Sequence, residues 1–446
     1  MIKLLKTLFS DDAKIIILGF GKEGKSTYGY IRKNFPHQNL GIADLNSAIG
    51  NQTDLKNDTH LEIITGKNYL DCLDNYDVII KSPGVKIKKP SNDLISKITS
   101  QTDLFMQRYA NQAVGVTGTK GKSTTSSLIK HFADADNKKA LLLGNIGVPA
   151  FDMIDEIEDK TIIIYELSAH QLEYVHSSPH IAILLNVFPE HLDYFEDVND
   201  YRKAKFNIFK YQNKDDIFIH HETYMKELYL FADEFVQKNQ SISQSLVTVS
   251  NKDYEFGIEN NPLLGNHNLI NINIALSAAH YLGIDNGTSL KSLGSFKSLP
   301  HRLEHVGKYD GITFINDSIS TVPQSTIAAA KALNKVDTLI LGGFDRGLGY
   351  KDMVDYLIKS DINNFIFLGK AGDRMFKLFL NNKNKNLIKA VSIESAFSSI
   401  VKITCKDCIC LLSPAAASYD QFHNFEHRGD VFKNLIKNHY DKNILS

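Results

Sequence analysis

The sequence predicts an α/β protein of three units, in each of which parallel strands alternate with helices. Short apolar runs rich in β-branched residues recur along the 446 residues, and helix-length segments separate them. Glycine-rich turns follow two of these runs, as in nucleotide-binding α/β folds. The length also exceeds that of one ordinary domain, so two or three domains are expected.

The first unit, residues 1–95, is predicted to be Rossmann-like. The turn Gly19–Ser26 fits both G-x-G-x-x-G and G-x-x-x-x-G-K-S. Asp44 ends the next strand at about the spacing of a ribose-binding carboxylate, so the Rossmann-like interpretation is preferred to a phosphate loop. A tight turn without a ligand is the structural alternative. Strands are expected at 14–19, 39–44, 61–65 and 77–80.

The second unit, residues 96–297, is predicted to be a P-loop domain. Residues 113–125, Ala-Val-Gly-Val-Thr-Gly-Thr-Lys-Gly-Lys-Ser-Thr-Thr, lead from a strand through a glycine turn into a helix expected at 126–133. Glycines let backbone N–H groups face a phosphate chain, and the helix N-terminus adds a favourable dipole. Lys122 can reach the β- and γ-phosphates and Ser123 can hold Mg²⁺, which predicts a nucleoside triphosphate site. Further strands are expected at 140–143, 161–165 and 181–187, and residues 215–257 are expected to form a side sheet.

Polar side chains follow two strands of this unit. Glu166 ends one strand, where a carboxylate near a phosphate loop suits a direct or indirect Mg²⁺ ligand. Residues 186–193 follow the other and carry Asn186, Glu190, His191 and Asp193. This density of polar groups favours a functional loop over a purely structural one.

The third unit, residues 298–446, repeats the alternation and is also predicted to be Rossmann-like. Arg302 lies near its start, where a fixed cation could meet phosphates when domains close. Asp317 follows one strand, and small residues with Ser418 follow another, which is typical of a pocket floor. Strands are expected at 312–316, 337–342, 364–368 and 409–412, with a helix at 323–333.

Three groups of residues are ambiguous from spacing alone. Lys205 lies on a predicted helix in a run of charges, which favours a solvated face. Asn268 precedes a helix that it could simply cap. The cysteines at 405–410 surround an apolar run without a partner pair at zinc-finger spacing, and we expect them to be structural.

Composition excludes several functional classes. Fifty basic and 51 acidic residues leave the charge balanced, so nucleic acid is not an expected partner. No segment approaches roughly eighteen uninterrupted apolar residues, so a membrane span is not expected. Residues 1–10 lack a cleavage-like site, and four cysteines fit a reducing compartment. We therefore expect a cytoplasmic protein. We also expect a monomer, although the composition does not decide the oligomeric state.

Taken together, these motifs resemble the Mur ligases, which are ATP-dependent amide-bond ligases of peptidoglycan precursor synthesis. The matches run in the family's order over nearly the whole chain, and Gly144–Gly147 and Ser418–Gly429 are most similar to the glutamate-adding members. The Asp-Asn-Pro-Arg motif of the diamino-acid-adding member is absent. The matching motifs are Thr117–Thr124, Glu166–Ser168, Asn186-Val187, His191–Asp193, Gly265, His267-Asn268, Asn271, Leu299–Arg302, Asn316–Ser318 and Ser413–Ala415.

The resemblance implies that ATP binds the central loop, that Mg²⁺ ions bind beside it, and that Lys122, His191 and Lys205 are catalytic. Lys205 matches a lysine that is carbamylated in the family, which replaces the solvated-face interpretation. The implied ATP-binding residues are Gly118, Thr119, Lys120, Gly121, Lys122, Ser123, Thr124, Asn268, Asn271, Arg302 and Asp317. The implied metal ligands are Ser123, Glu166, His191 and Lys205.

The resemblance also implies two further substrates. The N-terminal unit would bind UDP-N-acetylmuramoyl-L-alanine instead of a dinucleotide, and the C-terminal unit would bind glutamate. The alanyl carboxylate would take the γ-phosphoryl group, and the amine of glutamate would attack the acyl phosphate. The implied UDP-substrate residues are Lys22, Glu23, Asn46, Ser82, Gly84 and Asn145. The implied glutamate residues are Thr321, Arg346, Ser418 and Phe425.

The glutamate pocket departs from the family pattern. The usual Asp-Ser-Lys-Ala-Thr-Asn reads Asp-Ser-Ile-Ser-Thr-Val at 317–322, so Ile319 replaces a lysine. Arg346 stands near another usual lysine and can supply a cation from a different direction. D-glutamate is the default acceptor, and L-glutamate, which a related subgroup uses, is the alternative.

Other functional classes explain less of the sequence. A dehydrogenase built on Gly19–Gly24 leaves the loop at 118–124 and the cluster around His191 unexplained. A P-loop kinase or motor is disfavoured, because its second motif, a run of four apolar residues followed by paired Asp-Glu, is not seen in this sequence. A non-enzymatic UDP-sugar-binding module would make Lys122 dispensable.

Overall fold

The computed structural model describes residues 1–9, 13–191, 193–224, 245–253, 263, 265–380, 382 and 384–444. The described strands form three sheets, and the chain divides into two compact units. From here on, the first unit means the compact unit of residues 1–260 and 269–294, which contains the first two sheets and combines most of the first two predicted units. The second unit comprises residues 261–268 and 295–446, and it contains the third sheet.

The first sheet consists of five parallel strands. They are β1 (Ile15–Leu18), β2 (Leu40–Asp44), β3 (Leu61–Thr65), β4 (Val78–Lys81) and β5 (Ile98–Thr99), in the order β3-β2-β1-β4-β5. All four residues of β1 are buried, because a central parallel strand is covered on both faces. The sheet extends past the predicted boundary at residue 95, since β5 pairs with β4. Its helices are α1 (Ile2–Leu8), α2 (Lys22–Asn34), α3 (Thr53–Lys56), α4 (Asn92–Lys97) and α5 (Gln101–Tyr109), with 3₁₀ helices at 47–51, 73–75 and 110–112.

The second sheet has six parallel strands. They are β6 (Ala113–Thr117), β7 (Ala140–Gly144), β8 (Ile162–Glu166), β9 (Ile181–Leu184), β10 (Ile217–His221) and β11 (Ser245–Val249), in the order β11-β10-β9-β6-β8-β7. The helices are α6 (Lys122–Ala135), α7 (Ala169–Leu172), α8 (Val198–Lys210), α9 (Asn266–Tyr281) and α10 (Asn286–Leu293), with 3₁₀ helices at 150–156 and 222–224. Helix α6 starts directly after the phosphate loop, four residues before its predicted start.

The predicted side sheet at 215–257 is wrong for its described part. Ile217 of β10 pairs in parallel register with Ile181 of β9 on one side and with Ser245 of β11 on the other. Both strands therefore extend the central sheet. Residues 225–244 and 254–257 lie outside the described part of the chain.

The third sheet is parallel except for one edge strand. Its strands are β12 (Glu304–Tyr309), β13 (Ile312–Asn316), β14 (Val336–Gly342), β15 (Asn364–Leu368), β16 (Asn386–Ala390) and β17 (Ile409–Leu412), in the order β12-β13-β17-β14-β15-β16. The edge strand β12 runs antiparallel to β13. The helices are α11 (Pro323–Ala332), α12 (Lys351–Lys359), α13 (Gly369–Phe379), α14 (Ile393–Ile403) and α15 (Phe425–Ile444).

The cysteines at 405–410 differ in burial: Cys405 is exposed, Cys408 is half-buried and Cys410 is buried. Cys410 is buried in β17 and packs in the same apolar cluster as Phe314. Within the described ranges, no group of three His, Cys, Asp or Glu side chains is arranged to hold a metal ion by itself. Of the helices that the structure describes, none combines the length and the apolar character needed to cross a membrane.

Candidate active site

The phosphate loop connects β6 to α6 in a conformation that requires glycine. Gly121 precedes α6 with a left-handed φ of 89°. A Cβ atom built on Gly121 would lie 2.4 Å from Oδ1 of Asn271. Asn271, a predicted ATP-binding residue, therefore lies directly beside the loop.

The loop that follows β9 is hydrogen-bonded to the phosphate loop. Oδ1 of Asn186 accepts from the Lys120 N–H at 2.9 Å, and its Nδ2 donates to the Lys120 carbonyl at 3.0 Å. The Thr119 N–H donates to the Asn186 carbonyl, and the Thr119 hydroxyl accepts from the Phe188 N–H, both at 2.9 Å. Nζ of Lys120 also pairs with Glu190 at 2.7 Å. These bonds fix the residues before His191 to the phosphate loop.

Two lysine amines meet at one carbonyl of the phosphate loop. Nζ of Lys122 and Nζ of Lys205 each donate to the Gly118 carbonyl at 2.9 Å. Lys205 lies on α8, is 1% exposed, and has its amine 4.9 Å from the ring centre of Tyr201. Burial lowers the pKa of Lys205 well below its ordinary value, and the Lys122 charge lowers it further. The solvated-face interpretation of Lys205 is therefore wrong.

Glu166 presents a buried carboxylate oxygen that can accept a cation. It ends β8 and is fully buried, and its Oε1 accepts from Nδ2 of Asn145 at 2.8 Å. Its Oε2 has no hydrogen-bond partner within the described part of the chain. Mg²⁺ in nucleotide sites commonly takes one or two carboxylates together with substrate phosphates, so a lone carboxylate near the loop fits that ion. Ser123 is buried in the first turn of α6, which follows the loop.

His191 occupies the loop after β9 with a left-handed φ of 58° and a side chain that is 48% exposed. Its ring packs edge-on against His170, with 4.9 Å between the ring centres. Burial lowers the pKa of both imidazoles, and that of His170 falls to about 4. The neutral form, which is the form that binds metals, therefore predominates at pH 7.

Five of the six predicted UDP-substrate residues gather at the carboxyl ends of β1, β2 and β4, whereas Asn145 follows β7 of the second sheet. The Ser82 hydroxyl donates to the Gly19 carbonyl at 2.7 Å, which joins two of the predicted loops. Asp44 accepts from the backbone N–H groups of Phe20 at 2.6 Å and Asn46 at 2.7 Å, so its carboxylate braces the glycine turn rather than standing free for a ribose. Lys22 and Gly84 are exposed, and Asn46 caps the 3₁₀ helix at 47–51.

Glu23 turns its side chain away from solvent. Its Oε1 accepts from Nε2 of Gln171 at 2.6 Å, and its Oε2 is buried without a hydrogen-bond partner among the described residues. Burial raises the pKa of this carboxyl from 4.5 to about 7. The Glu23 carboxyl is therefore held inside the protein by Gln171.

In the second unit, Asp317 is a buried carboxyl at the end of β13. The Ser413 hydroxyl donates to it at 2.7 Å and the Leu303 N–H at 3.3 Å. Burial raises the pKa of Asp317 to about 6. Arg302 precedes Leu303, whose φ is a left-handed 44°, and Asn268 is buried in the same unit.

The four predicted glutamate residues follow adjacent strands of the third sheet. Thr321 follows β13, Arg346 follows β14, and Ser418 and Phe425 follow β17, which lies between them. Carboxyl ends of parallel strands meet at one edge of a sheet, where ligands bind in open α/β folds. Ser418 is buried, whereas Arg346 is exposed.

Sequence reasoning did not single out Arg428, which lies beneath this edge. Its guanidinium is 1% exposed; Nε and Nη2 donate to the hydroxyl and carbonyl of Ser318, at 2.9 and 2.8 Å. Nη1 donates to the carbonyls of Ala416 at 3.0 Å and Ala417 at 3.3 Å. Arg428 therefore joins the loops after β13 and β17. The available signal was its place in the motif Ser418–Gly429.

These features define an α/β protein with a P-loop, a loop of the kind that holds phosphates in nucleotide-binding proteins. The Mur ligase middle domain family matches residues 116–279. UDP-N-acetylmuramoylalanine–D-glutamate ligase of Clostridium botulinum is 31% identical over 398 residues, covering 84% of this chain and 86% of that protein. The protein of the same name from Clostridium kluyveri is 29% identical over 447 residues, covering 95% and 96%.

Solved structures agree at the level of the fold. MurF ligase from Thermotoga maritima, in complex with ADP, matches with a TM-score of 0.54 at 17% identity, covering 83% of this chain and 92% of that one. The predicted α/β fold class is confirmed. The chain belongs to the Mur ligase family, whose members are ATP-dependent amide-bond-forming ligases.

Proposed function

We propose that this chain joins glutamate to UDP-N-acetylmuramoyl-L-alanine and converts ATP to ADP and phosphate. The two clostridial relatives carry this reaction in their names, with D-glutamate as the amino acid. The observation that carries the proposal is the meeting of the Lys122 and Lys205 amines at the Gly118 carbonyl of a phosphate loop. Residues 1–95, 96–297 and 298–446 are assigned to the UDP-linked substrate, ATP and glutamate, respectively.

The chemistry needs an activated carboxylate. The alanyl carboxylate attacks the γ-phosphorus of ATP, which forms an acyl phosphate and releases ADP. The amine of glutamate then attacks the acyl carbon, phosphate leaves with the bonding electrons, and the amine loses a proton. Lys122 neutralises charge that gathers on the transferred group, since preorganised cations are the main catalysts of phosphoryl transfer.

The proposed donors fit Mg²⁺, because Oε2 of Glu166 is buried and has no hydrogen-bond partner among the residues that the structure describes. Ser123, Glu166, His191 and carbamylated Lys205 would hold it, and it would supply charge neutralisation on the phosphates.

Carbamylation of Lys205 is supported by the state of its amine. A carbamate forms when a neutral amine attacks CO₂ and releases a proton. The lowered pKa of Lys205 favours that neutral amine, and the buried site excludes bulk water. Lys205→Met should lower turnover by about 100-fold or more, as should removal of bicarbonate from the wild type. Lys203→Met is the matched control, because Lys203 lies on the same helix and is 67% exposed.

The acceptor is proposed to be D-glutamate, as the relatives' names indicate. L-glutamate is the second candidate, because Ile319 and Arg346 change the charges expected around the pocket. The experiment is phosphate release with ATP, Mg²⁺ and UDP-N-acetylmuramoyl-L-alanine, with D- or L-glutamate in parallel. Turnover with D-glutamate alone supports the first candidate and turnover with L-glutamate alone the second. If the protein binds ATP but releases no phosphate with either form of glutamate, glutamate is rejected as the acceptor.

Lys122→Ala provides the control for the phosphate loop. It should abolish turnover and leave binding of the UDP-linked substrate intact, measured by titration calorimetry. Lys130→Ala changes a lysine on the same helix whose amine pairs with Asp134 at 2.6 Å, and it should leave both unchanged. Surviving turnover in Lys122→Ala would reject the assignment of the loop.

A further inference from the structure

A cluster of one buried and two half-buried side chains joins the first two sheets of the first unit. Lys81 ends β4, Glu173 directly follows α7, and Tyr194 lies in the loop after β9. Nζ of Lys81 is 3.2 Å from Oε2 of Glu173 and 2.9 Å from the Tyr194 hydroxyl. The Tyr194 hydroxyl is in turn 2.8 Å from the same Glu173 oxygen. We call this closed set of contacts the Lys81 triangle.

Each corner of the Lys81 triangle lies next to a segment of the proposed active site. Lys81 directly precedes Ser82, which belongs to the proposed UDP-substrate loop. Glu173 lies at the end of the short helix that begins after Glu166. Tyr194 follows His191 by three residues, and its backbone N–H donates to the His191 carbonyl at 3.0 Å.

Burial and further contacts restrain the side chains of the Lys81 triangle. The side chains of Lys81 and Glu173 are 2% and 24% exposed. The Lys81 amine also lies 5.1 Å from the ring centre of Tyr174, and the Tyr194 hydroxyl lies 2.9 Å from the Val85 carbonyl. Buried ion pairs add little net stability compared with apolar packing, so the geometry they impose is the more informative property.

We propose that Lys81, Glu173 and Tyr194 are positioning residues that hold the Ser82 loop and the His191 loop at a fixed separation. The inference rests on the proposed function. If the Ser82 loop holds the UDP-linked substrate and the His191 loop borders the phosphates, the triangle sets the approach of the alanyl carboxylate to the γ-phosphorus. A displacement of about 1 Å at this step lowers turnover by about 100-fold.

The first test compares two variants with a control. Lys81→Met removes the amine, and Tyr194→Phe removes one hydroxyl while it leaves the ion pair in place. Lys33→Met is the matched control, because Lys33 pairs with Asp155 across the same two parts of the unit at 2.5 Å, with both side chains exposed. We measure kcat, the KM for ATP, calorimetric binding of the UDP-linked substrate, and Tm.

We expect kcat to fall by about 10- to 100-fold in Lys81→Met and by less in Tyr194→Phe. Both binding parameters should stay within about threefold of the wild type, since the groups that contact ligands are unchanged. Lys33→Met should match the wild type in all of them. A folded Lys81→Met protein with wild-type kcat, or an equal loss in Lys33→Met, overturns the proposal.

The double variant Lys81→Met/Glu173→Gln separates positioning from stability. Lys81→Met alone leaves an unpaired carboxylate, which should lower Tm, and neutralising Glu173 should restore Tm. The positioning contact is still missing, so kcat should stay low. Recovery of kcat together with Tm would mean that the triangle serves stability only. Absence of turnover in the wild type would instead count against the proposed function.

Discussion

Replacing Glu23 with glutamine should stabilise the first unit above pH 7. One oxygen of this carboxyl accepts from Gln171 at 2.6 Å, and the other is buried without a partner in the described ranges. Burial raises the pKa of Glu23 from 4.5 to about 7, and the Gln171 amide and the Lys81 charge oppose it only in part. The folded protein therefore holds this proton more tightly than the unfolded chain does.

The direction of the pH effect follows from this raised pKa. Between pH 4.5 and about 7 the folded state binds more protons than the unfolded state, so stability falls as the pH rises through this window. Above the window the difference between the two pKa values corresponds to about 3 kcal/mol of lost stability. Glutamine has nearly the same shape and no charge, so the variant avoids this loss.

Thermal unfolding of the wild type and Glu23→Gln at pH 5 and pH 8 measures the effect. In a unit of this size 1 kcal/mol shifts Tm by about 2 °C, so the variant should melt about 6 °C higher than the wild type at pH 8. The two should be close at pH 5. Glu158→Gln, at a side chain that is 73% exposed, is the control and should give no pH-dependent gain. A variant that melts at or below the wild type at pH 8 would refute the reasoning.

Three further changes test other parts of the site. Asn186→Ala removes both hydrogen bonds to the Lys120 backbone and should weaken ATP binding by about 10-fold or more in calorimetry; unchanged affinity would contradict it. Gly121→Ala puts a Cβ 2.4 Å from Oδ1 of Asn271, so ATP binding should be lost while the circular dichroism spectrum stays native, and normal binding would count against the loop geometry. Asp317→Asn should stabilise the second unit by about 3 kcal/mol at pH 8 and by less at pH 5. The reason is that burial raises the pKa of Asp317 to about 6, so stability is lost as the pH rises from 3.8 through that value. Denaturant titration at both pH values measures this, and an equal gain at both would exclude the charge as its cause.

The sequence predicts the central parallel strands well and the edge strands poorly. A strand such as β1, Ile-Ile-Ile-Leu, is buried on both faces and therefore appears as a continuous apolar run. Strand β12, Glu-His-Val-Gly-Lys-Tyr, lies at an edge, is half exposed and contains a bulge, so it leaves no such run. The strand β16 was missed for the same reason.

Within the site, spacing identifies residues whose function depends on neighbours in the chain. The phosphate loop is such a case, because its glycines, Lys122 and Ser123 act as one local unit. Lys205 is the opposite case. Its buried amine donates to the Gly118 carbonyl, which lies 87 residues away in the sequence. The charged residues beside Lys205 in the chain, in contrast, indicate a helix on the surface. Likewise, no local pattern predicts that Glu23 meets Gln171.

Arg428 has a consequence for how the proposed glutamate pocket can evolve. Its hydrogen bonds go to Ser318, Ala416 and Ala417, so the loops after β13 and β17 are held from below. Residues at the rim, such as Ile319 and Arg346, are not among these acceptors. Substitutions at these two positions therefore leave the Arg428 hydrogen bonds in place, so the contents of the pocket can change during evolution without loss of the bonds that join its two loops.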